Sequence, residues 1–379
     1  MEKIRIGDAC DILNGFAFKS DKYVEGGIRV IRIANVQKGY IEDDAPVFYP
    51  ADYAGLEKYM LEEGDLLMSL TGNVGRVGIL QKEMLPAALN QRVACLRLKT
   101  ECITKGFLFH VLNSVFFEQQ CVYTSNGVAQ KNMSTEWLKD YEIPLYPIKE
   151  QLKITEVLDR IRCVINLRSV ELRRLDDLIK ARFVEMFGSI KEERLLGDIS
   201  EFVTVGIANS ATHAYAESGI PMLRNQNIKE NYLDDTDIIY IKSEFATQYE
   251  SKKLKENDII VMRTGYPGVA CLVPKKYEGC QTFTTLIVRL KEDNNSSYVC
   301  SYINSDFGKK FIDSEKVGVA QQNVGAKSLA KMPIKIPPIE LQNQFAAFVA
   351  EVDKSKVAVQ KALDETQTLF DSLMQEYFG

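Results

Sequence analysis

Two stretches of the chain repeat hydrophobic side chains at alternating spacings of four and three residues. The first stretch begins at Ile154 and ends at Met186, and the second begins at Phe345 and ends at Tyr377. This spacing puts the hydrophobic side chains on one face of an α-helix, and its persistence over several heptads is typical of a coiled-coil seam. We therefore predict two long helices that pair through seam residues Leu158, Ile161, Ile165, Leu172, Leu175 and Ile179 in the first helix, and Val349, Val352, Val359, Leu363, Phe370 and Leu373 in the second.

The charges of the two stretches favour their pairing with each other. Residues 151–190 carry 8 basic and 6 acidic side chains, and residues 339–379 carry 3 and 7. Three charged residues, Arg168, Arg182 and Lys356, fall on the seam itself. A charge inside a helix pair costs stability, so each should either fix the register with a carboxylate or face a partner protein. The alternative for both stretches is that they are core helices of the flanking domains.

The chain before each long stretch has the pattern of a mixed domain. Residues 28–33, 65–70 and 74–80 are apolar runs that predict strands, and a Thr-Gly-Asn turn at residues 71–73 separates the last two. Proline blocks at residues 143–147 and 336–338 come shortly before the two heptad stretches. Because proline commonly starts a helix, these blocks predict where the long helices begin.

The sequence contains an internal repeat with a period near 191 residues. The hexamer GVAQKN at residues 127–132 recurs as GVAQQN at residues 318–323, and EMFG at residues 185–188 recurs as EYFG at residues 376–379. Adding 191 to each seam position of the first stretch gives a seam position of the second. A period this long indicates a duplicated domain with its connecting helix, which predicts two similar lobes with pseudo-twofold symmetry.

Composition and charge narrow the class of protein. With 379 residues, of which 46% are hydrophobic and 26% charged, the chain is long enough for two or three folded domains. It has no uninterrupted run of eighteen apolar residues, and its first residues are charged, so we expect a cytoplasmic protein with no membrane contact. The net charge is -5 and no segment is a basic tail, so any nucleic-acid contact must come from individually placed Arg and Lys.

Motifs for catalysis and metal binding are not found in the sequence. Eight scattered cysteines and two histidines give no zinc spacing, and there is no GxxxxGK[ST], HExxH or GxGxxG motif. The glycine-rich residues 71–78 lie between two predicted strands, which favours a hairpin turn over a phosphate loop. The carboxylate pairs Asp43–Asp44 and Asp234–Asp235 fall in polar turns, where solvated side chains are the rule. We expect a non-catalytic chain without the motif of a DNA methyltransferase and without a bound metal.

Side chains suited to the edges of DNA bases recur at matching places in the two copies. Arg and Lys suit guanine, and Asn and Gln suit adenine. Any one of these residues could instead cap a turn or lie on the surface, but their duplicated placement supports the set. The predicted DNA-binding residues are Arg32, Asn35, Thr71, Asn73, Arg76, Gln91, Arg92, Gln130 and Asn132 in the first copy, and Arg224, Asn225, Gln226, Asn227, Arg263, Thr264, Tyr266, Gln321, Gln322 and Asn323 in the second.

The whole chain resembles the specificity subunit of a type I restriction-modification system. The resemblance is carried by the duplicated domain, the long helix after each copy, and the Gly-x-x-Gln-x-Asn element that precedes a proline-rich turn and a helix start. The turns read YPIKEQ at residues 146–151 and PPIELQ at residues 337–342. The first has Tyr-Pro where the family tends to have Pro-Pro, and the second has Leu341 where the family tends to have Glu.

The resemblance implies an α+β fold with two pseudo-symmetric α/β target-recognition domains separated by two long antiparallel coiled-coil helices. Each domain would read one half of a bipartite site on double-stranded DNA, and the helix pair, about 57 Å long at about 1.5 Å per residue, would set the gap. The family also implies two modification subunits that use S-adenosylmethionine, and restriction subunits that use ATP and Mg²⁺ for translocation. We expect this chain to bind none of those cofactors.

The expected domain boundaries follow the repeat and the proline blocks. We predict a first target-recognition domain at residues 1–148, a first spacer helix at 149–188, a second target-recognition domain at 189–338 and a second spacer helix at 339–379. Two other functions stay open at this point. The chain could be the specificity subunit of a different restriction-methylation system, or a scaffold or decoy that binds modification subunits without reading DNA.

Overall fold

A computed structural model of the chain describes residues 2–125, 132–208, 212–316 and 323–379. The chain separates into two compact units. Unit 1 comprises residues 1–169 and 361–379, and unit 2 comprises residues 170–360. Both boundaries fall inside the long helices, so each unit contains part of each helix.

Unit 1 is built on a four-stranded antiparallel sheet with the strand order β2-β10-β7-β8. A smaller sheet with the order β6-β3-β9, the β4–β5 hairpin and the β1–β11 pair complete it. The strands are β1 Lys3–Arg5, β2 Cys10–Asn14, β3 Ile28–Ile31, β4 Val36–Gln37, β5 Tyr40–Ile41, β6 Phe48–Tyr49, β7 Leu66–Ser69, β8 Val77–Ile79, β9 Ala87–Leu89, β10 Val93–Leu98 and β11 Glu142–Pro144. The helices of unit 1 are α1 Ile6–Ala9, α2 Lys105–Leu112, α3 Val115–Thr124, α4 Thr135–Asp140 and the first part of α5 Ile148–Phe187.

Unit 2 repeats this plan, with the sheet order β13-β22-β19-β20 in place of β2-β10-β7-β8. A second sheet has the order β14-β18-β15-β21, and β12 pairs with β23 as β1 pairs with β11. The strands are β12 Glu193–Leu195, β13 Ser200–Val205, β14 Tyr215–Ala216, β15 Ile220–Leu223, β16 Ile228–Lys229, β17 Tyr232–Leu233, β18 Ile239–Ile241, β19 Ile259–Val261, β20 Ala270–Leu272, β21 Gln281–Thr282, β22 Leu286–Leu290 and β23 Pro333–Lys335. The helices are α6 Ser243–Thr247, α7 Ser296–Asn304, α8 Asp306–Glu315, α9 Ala326–Leu329 and the first part of α10 Ile339–Phe378.

The two long helices run antiparallel where they meet in each unit. In unit 1, the Arg168 guanidinium of α5 donates to the carbonyl oxygen of Ala362 and the hydroxyl of Thr366 on α10. In unit 2, Lys356 of α10 lies 2.7 Å from the carboxylate of Asp176 on α5. Earlier α5 residues therefore meet later α10 residues in unit 1, and later α5 residues meet earlier α10 residues in unit 2.

Two of the three polar seam residues make polar contacts with the opposite helix. Arg168 and Lys356 each bind the opposite helix, Lys356 through a carboxylate and Arg168 through a carbonyl and a hydroxyl. Arg182 instead donates to Glu185 of its own helix at 2.7 Å and lies over the Phe348 ring. The twelve predicted apolar seam residues are all buried or half-buried. Polar contacts therefore link the two helices in both units.

The ends of the long helices also enter the cores of the units. Phe378 at the end of α10 packs against Phe107 of α2, with the ring centres 5.5 Å apart. In unit 2, Phe187 at the end of α5 packs against Tyr298 and Phe345 at 4.7 and 5.4 Å. Aromatic edge-to-face contacts of this kind add to the hydrophobic stabilisation of a core. Both predictions for the long helices therefore hold: they pair with each other, and their ends are core helices of the units.

The predicted fold class is confirmed. Two mixed α/β domains of one design are joined by two long helices. None of the helices in the described ranges is long and apolar enough to cross a membrane.

Candidate nucleic-acid interface

The turn between β7 and β8 carries several of the predicted base-reading residues of unit 1. The two strands pair antiparallel, with Leu66 opposite Ile79 and Met68 opposite Val77. The glycine-rich segment between them is therefore a hairpin turn, as predicted. Gly72 has a φ of 67°, a conformation that favours glycine. Thr71 forms an isolated β-bridge with Asn132, and Asn73 is exposed at the tip. The structure therefore brings the turn and the last residue of the Gly-x-x-Gln-x-Asn element side by side.

Unit 2 has the same arrangement with different side chains. Thr264 bridges Asn323, and the amide of Val324 donates to the carbonyl oxygen of Arg263 at 3.2 Å. Tyr266 occupies the tip of the turn and is 78% exposed. The Tyr266 side chain offers an apolar ring with one hydroxyl, whereas the Asn73 side chain offers an amide that donates and accepts hydrogen bonds.

Two predicted DNA-binding residues have a structural role instead. The side chain of Asn35 accepts a hydrogen bond from the amide of Arg32 at 2.9 Å and donates to the carbonyl of Glu42 at 2.8 Å. Asn227 makes the equivalent bonds with Arg224 and Asp234, both at 2.9 Å. The two asparagines are 6% and 2% exposed. We assign them to the scaffold of the loop, because base contacts would require these bonds to break.

The arginines of these loops are held in place by the protein. Arg32 donates to the carbonyl of Ala45 at 2.9 Å, and Arg224 donates to the carboxylate of Asp237 at 2.9 Å. The buried Nε atoms of Arg32, Arg224 and Arg263 have no hydrogen-bond acceptor among the described residues. The protein therefore anchors the guanidinium groups of Arg32 and Arg224 through one terminal nitrogen each.

The first loop and the hairpin turn are joined within each unit. In unit 2, Asn225 donates to the hydroxyl of Thr264 at 2.8 Å and accepts from the amide of Arg263 at 3.3 Å. In unit 1, Arg76 donates to the side-chain oxygen of Gln37 at 2.6 Å. The predicted residues on both segments thus form one surface in each unit.

Gln91 and Arg92 lie at the edge of the same surface. The carbonyl of Arg92 accepts from the amide of Leu70 at 3.0 Å, which places this segment directly behind the hairpin turn. Both side chains are exposed. In unit 2, Gln226 is exposed and donates to Asp237 at 2.5 Å. Predicted residues Gln130, Gln321 and Gln322 lie outside the described residues.

Sequence reasoning missed two residues that orient this surface. Gln37 holds Arg76 in unit 1, and Asp237 holds both Arg224 and Gln226 in unit 2. The position of Gln37 in the repeated segment, five residues after Arg32, was a signal. Asp237 gave none, because its partners lie more than ten residues away in the sequence.

The prediction of solvated carboxylate pairs is wrong for Asp43, which is half-buried and forms an ion pair with Arg29. Asp234 and Asp235 lie in a turn with polar partners. A hydrogen bond from Thr236 lowers the pKa of Asp234, and the neighbouring Lys276 lowers the pKa of Asp235. A general acid at neutral pH needs a raised pKa. These two carboxylates are therefore ionised and unsuited to that role.

Comparison with known proteins identifies the family. The family model of the type I restriction modification DNA specificity domain matches the chain twice, over residues 1–173 and 190–366. The chain belongs to this family. Specificity subunits of this family are not themselves catalytic.

Curated relatives and solved structures of type I specificity subunits are similar to the chain. The EcoBI specificity subunit of Escherichia coli is 22% identical over 415 residues, covering 99% of this chain and 85% of that protein. The MjaVIII specificity subunit of Methanocaldococcus jannaschii is 31% identical over 188 residues, covering 48% of this chain and 43% of that protein.

The S subunit structure from M. genitalium has a TM-score of 0.58 at 15% identity and covers 100% of this chain and 96% of that chain. A chain from a structure on complex assembly of a type I R-M system has a TM-score of 0.59 at 16% identity, covering 99% and 97%. The two structures share the fold of this chain.

Proposed function

We propose that this chain is the DNA-specificity subunit of a type I restriction-modification complex, and that each unit reads one half of a bipartite DNA site. The observation that supports this proposal is that both units have the same loop scaffold but carry different side chains at the tips of the loops. Asn73 and Arg76 in unit 1 stand where unit 2 has Tyr266 and Val269. Two loop scaffolds of the same fold that carry different side chains are suited to reading two different short DNA sequences.

The antiparallel helices α5 and α10 act as the spacer between the two half-sites. Polar contacts such as Lys356–Asp176 at 2.7 Å resist sliding of one helix along the other. A fixed register gives a fixed helix-pair length, and therefore a fixed number of base pairs between the half-sites.

Catalysis belongs to partner subunits in this proposal. Two modification subunits dock on this chain and supply adenine methylation with S-adenosylmethionine, and restriction subunits supply ATP- and Mg²⁺-dependent translocation and cleavage. This chain binds none of those cofactors and positions the duplex in the cytoplasm, where the host DNA lies.

The test is to co-express the chain with the modification subunit encoded beside its gene and to map methylated adenines in the host DNA by single-molecule sequencing. The expected result is one bipartite motif with a gap of constant length. A stable complex that produces no motif would contradict DNA reading and support a scaffold or decoy. A motif with a variable gap would contradict the spacer role of the helices.

A further inference from the structure

A single arginine of the spacer helix α5 reaches into the recognition surface of unit 1. The guanidinium of Arg162 donates to the carbonyl oxygen of Gly39 and lies 4.8 Å from the centre of the Phe109 ring. Burial lowers the pKa of Arg162, so the environment penalises its charge. A charged group placed at such a cost, with a backbone carbonyl as its acceptor, holds that piece of backbone in place.

Gly39 is the turn residue between β4 and β5. Its φ of 90° favours glycine, and a Cβ atom at this position would collide with the Arg162 guanidinium. On the other side, the Gly39 amide donates to the carbonyl of Val77 in β8 at 2.8 Å. The β4–β5 hairpin is thus clamped between the main sheet and the spacer helix.

The same hairpin carries the side chain that orients a predicted base-reading residue. Gln37, at the end of β4, accepts from Arg76 at 2.6 Å and donates to Ala34 and Glu42, both at 2.9 Å. A displacement of the hairpin would therefore move Gln37 and release Arg76. Arg162 is linked to the hairpin-turn surface through Gly39, the backbone of Lys38 and Gln37.

Unit 2 holds the equivalent hairpin in another way. Asn231 takes the place of Gly39, with a φ of 66°, and its side chain accepts from Asn304 of α7 at 2.7 Å. The position 191 residues after Arg162 is Asp353. Asp353 lines a pocket of about 690 Å³ together with Asn231 and Tyr232. Where unit 1 has an arginine clamp, unit 2 has a pocket between the hairpin and the helices.

We propose that Arg162 is a positioning residue for the first half-site, which fixes the β4–β5 hairpin against α5 and thereby aims Gln37 and Arg76 at the bases. This inference rests on the proposed function. It assigns to the spacer helix a part in base discrimination by unit 1, in addition to its part in spacing.

The test compares Arg162→Ala with Arg160→Ala in the complete methyltransferase complex. Arg160 lies on the same helix, is exposed and pairs only with Glu156 of its own helix among the described residues, at 2.5 Å. Methylation rates are measured on duplexes with single-base changes in either half-site. We expect Arg162→Ala to lower discrimination in the first half-site about tenfold, the loss of one charge-assisted hydrogen bond, with the second half-site and the gap unchanged. Arg160→Ala should match the wild-type complex.

Equal loss in both half-sites, or no difference between the two variants, would overturn the inference. If Arg162→Ala prevents folding of unit 1, Arg162→Lys replaces it, since lysine keeps one donor for the Gly39 carbonyl but lacks the planar guanidinium. Its expected loss is smaller and again confined to the first half-site, and unchanged discrimination would overturn the inference. If the wild-type complex shows no bipartite motif, the proposed function is contradicted. The inference about Arg162 then fails with it, before any variant is compared.

Discussion

The two units contain the same kind of buried ion pair, but an exposed ion pair has its positive and negative residues exchanged between them. In both, an arginine of the central strand forms a bidentate pair with an aspartate, Arg97 with Asp65 and Arg289 with Asp258, each closing to 2.7 Å. The β4–β5 hairpin and its counterpart β16–β17 are each tied to a helix by a second pair, whose charges are reversed between the units. Lys38 meets Glu118 in unit 1 at 2.6 Å, and Glu230 meets Lys309 in unit 2 at 3.0 Å.

This difference distinguishes the buried residues that stabilise each domain from the exposed residues that can vary. Asp65 and Asp258 are 6% and 2% exposed, and replacing Asp258 leaves Arg289 without a carboxylate partner among the described residues. Arg97 would keep a second partner, Glu62, at 3.2 Å if Asp65 were replaced. The exposed pairs need only opposite charges, and water screens them in either orientation. The side chains at the tips of the turns, such as Asn73 and Tyr266, are exposed, so they can differ with little effect on the core.

Removal of the buried aspartate should have the largest effect. Asp258→Ala leaves Arg289, whose side chain is 15% exposed, without its carboxylate, and we expect a loss of roughly 3 kcal/mol in the free energy of unfolding of unit 2. Asp65→Ala should cost less, because Arg97 is 30% exposed. Denaturant titration, with hydrogen exchange to assign the loss to a unit, measures both. The control is Asp293→Ala, which removes an exposed pair with Arg194; equal losses in all three variants would contradict the assigned frame.

Removal of a predicted base-reading arginine should affect DNA binding without changing stability. We expect Arg263→Ala to weaken binding by about 1–3 kcal/mol and to relax one position of the second half-site only. Binding of the modification complex to duplexes varied one base at a time provides the measurement. Arg194→Ala is the matched control in unit 2. A uniform loss across all sequences would make Arg263 a phosphate contact instead.

Reversal of the exposed pair should have the smallest effect. Lys38→Glu and Glu118→Lys each place like charges together and should cost up to about 1 kcal/mol in the stability of unit 1, whereas the double variant should recover it. A double-mutant cycle at low ionic strength measures the coupling. No recovery in the double variant would mean that the orientation of the pair matters, contrary to the comparison with unit 2.

The long helices and the duplicated frame could be predicted from sequence because their signals are local or periodic. The heptad spacing is the direct consequence of helix geometry, and the apolar runs at residues 65–70 and 74–80 correspond to β7 and β8. The repeat then predicts that both copies have one fold. These features do not depend on contacts between distant residues.

The roles of individual polar residues could not be predicted in the same way. Asn35 and Asn227 have the chemistry to read adenine, but the loop folds around them and uses both ends of each amide. Arg162 follows the seam residue Ile161 and has the pattern of a solvent-facing helix residue. Its contact with Gly39 spans 123 residues and exists only once the domain has folded against the helix.

The central claim is that each unit reads its half-site independently of the other. It is tested most directly by replacing residues 189–338 with a second copy of residues 1–148 and mapping methylated adenines as above. The β1–β11 and β12–β23 pairs close each domain next to its junctions, which makes the exchange feasible. The account predicts a motif whose two halves are the first half-site in opposite orientations, separated by the original gap. A complex that assembles but keeps the original second half-site would contradict it.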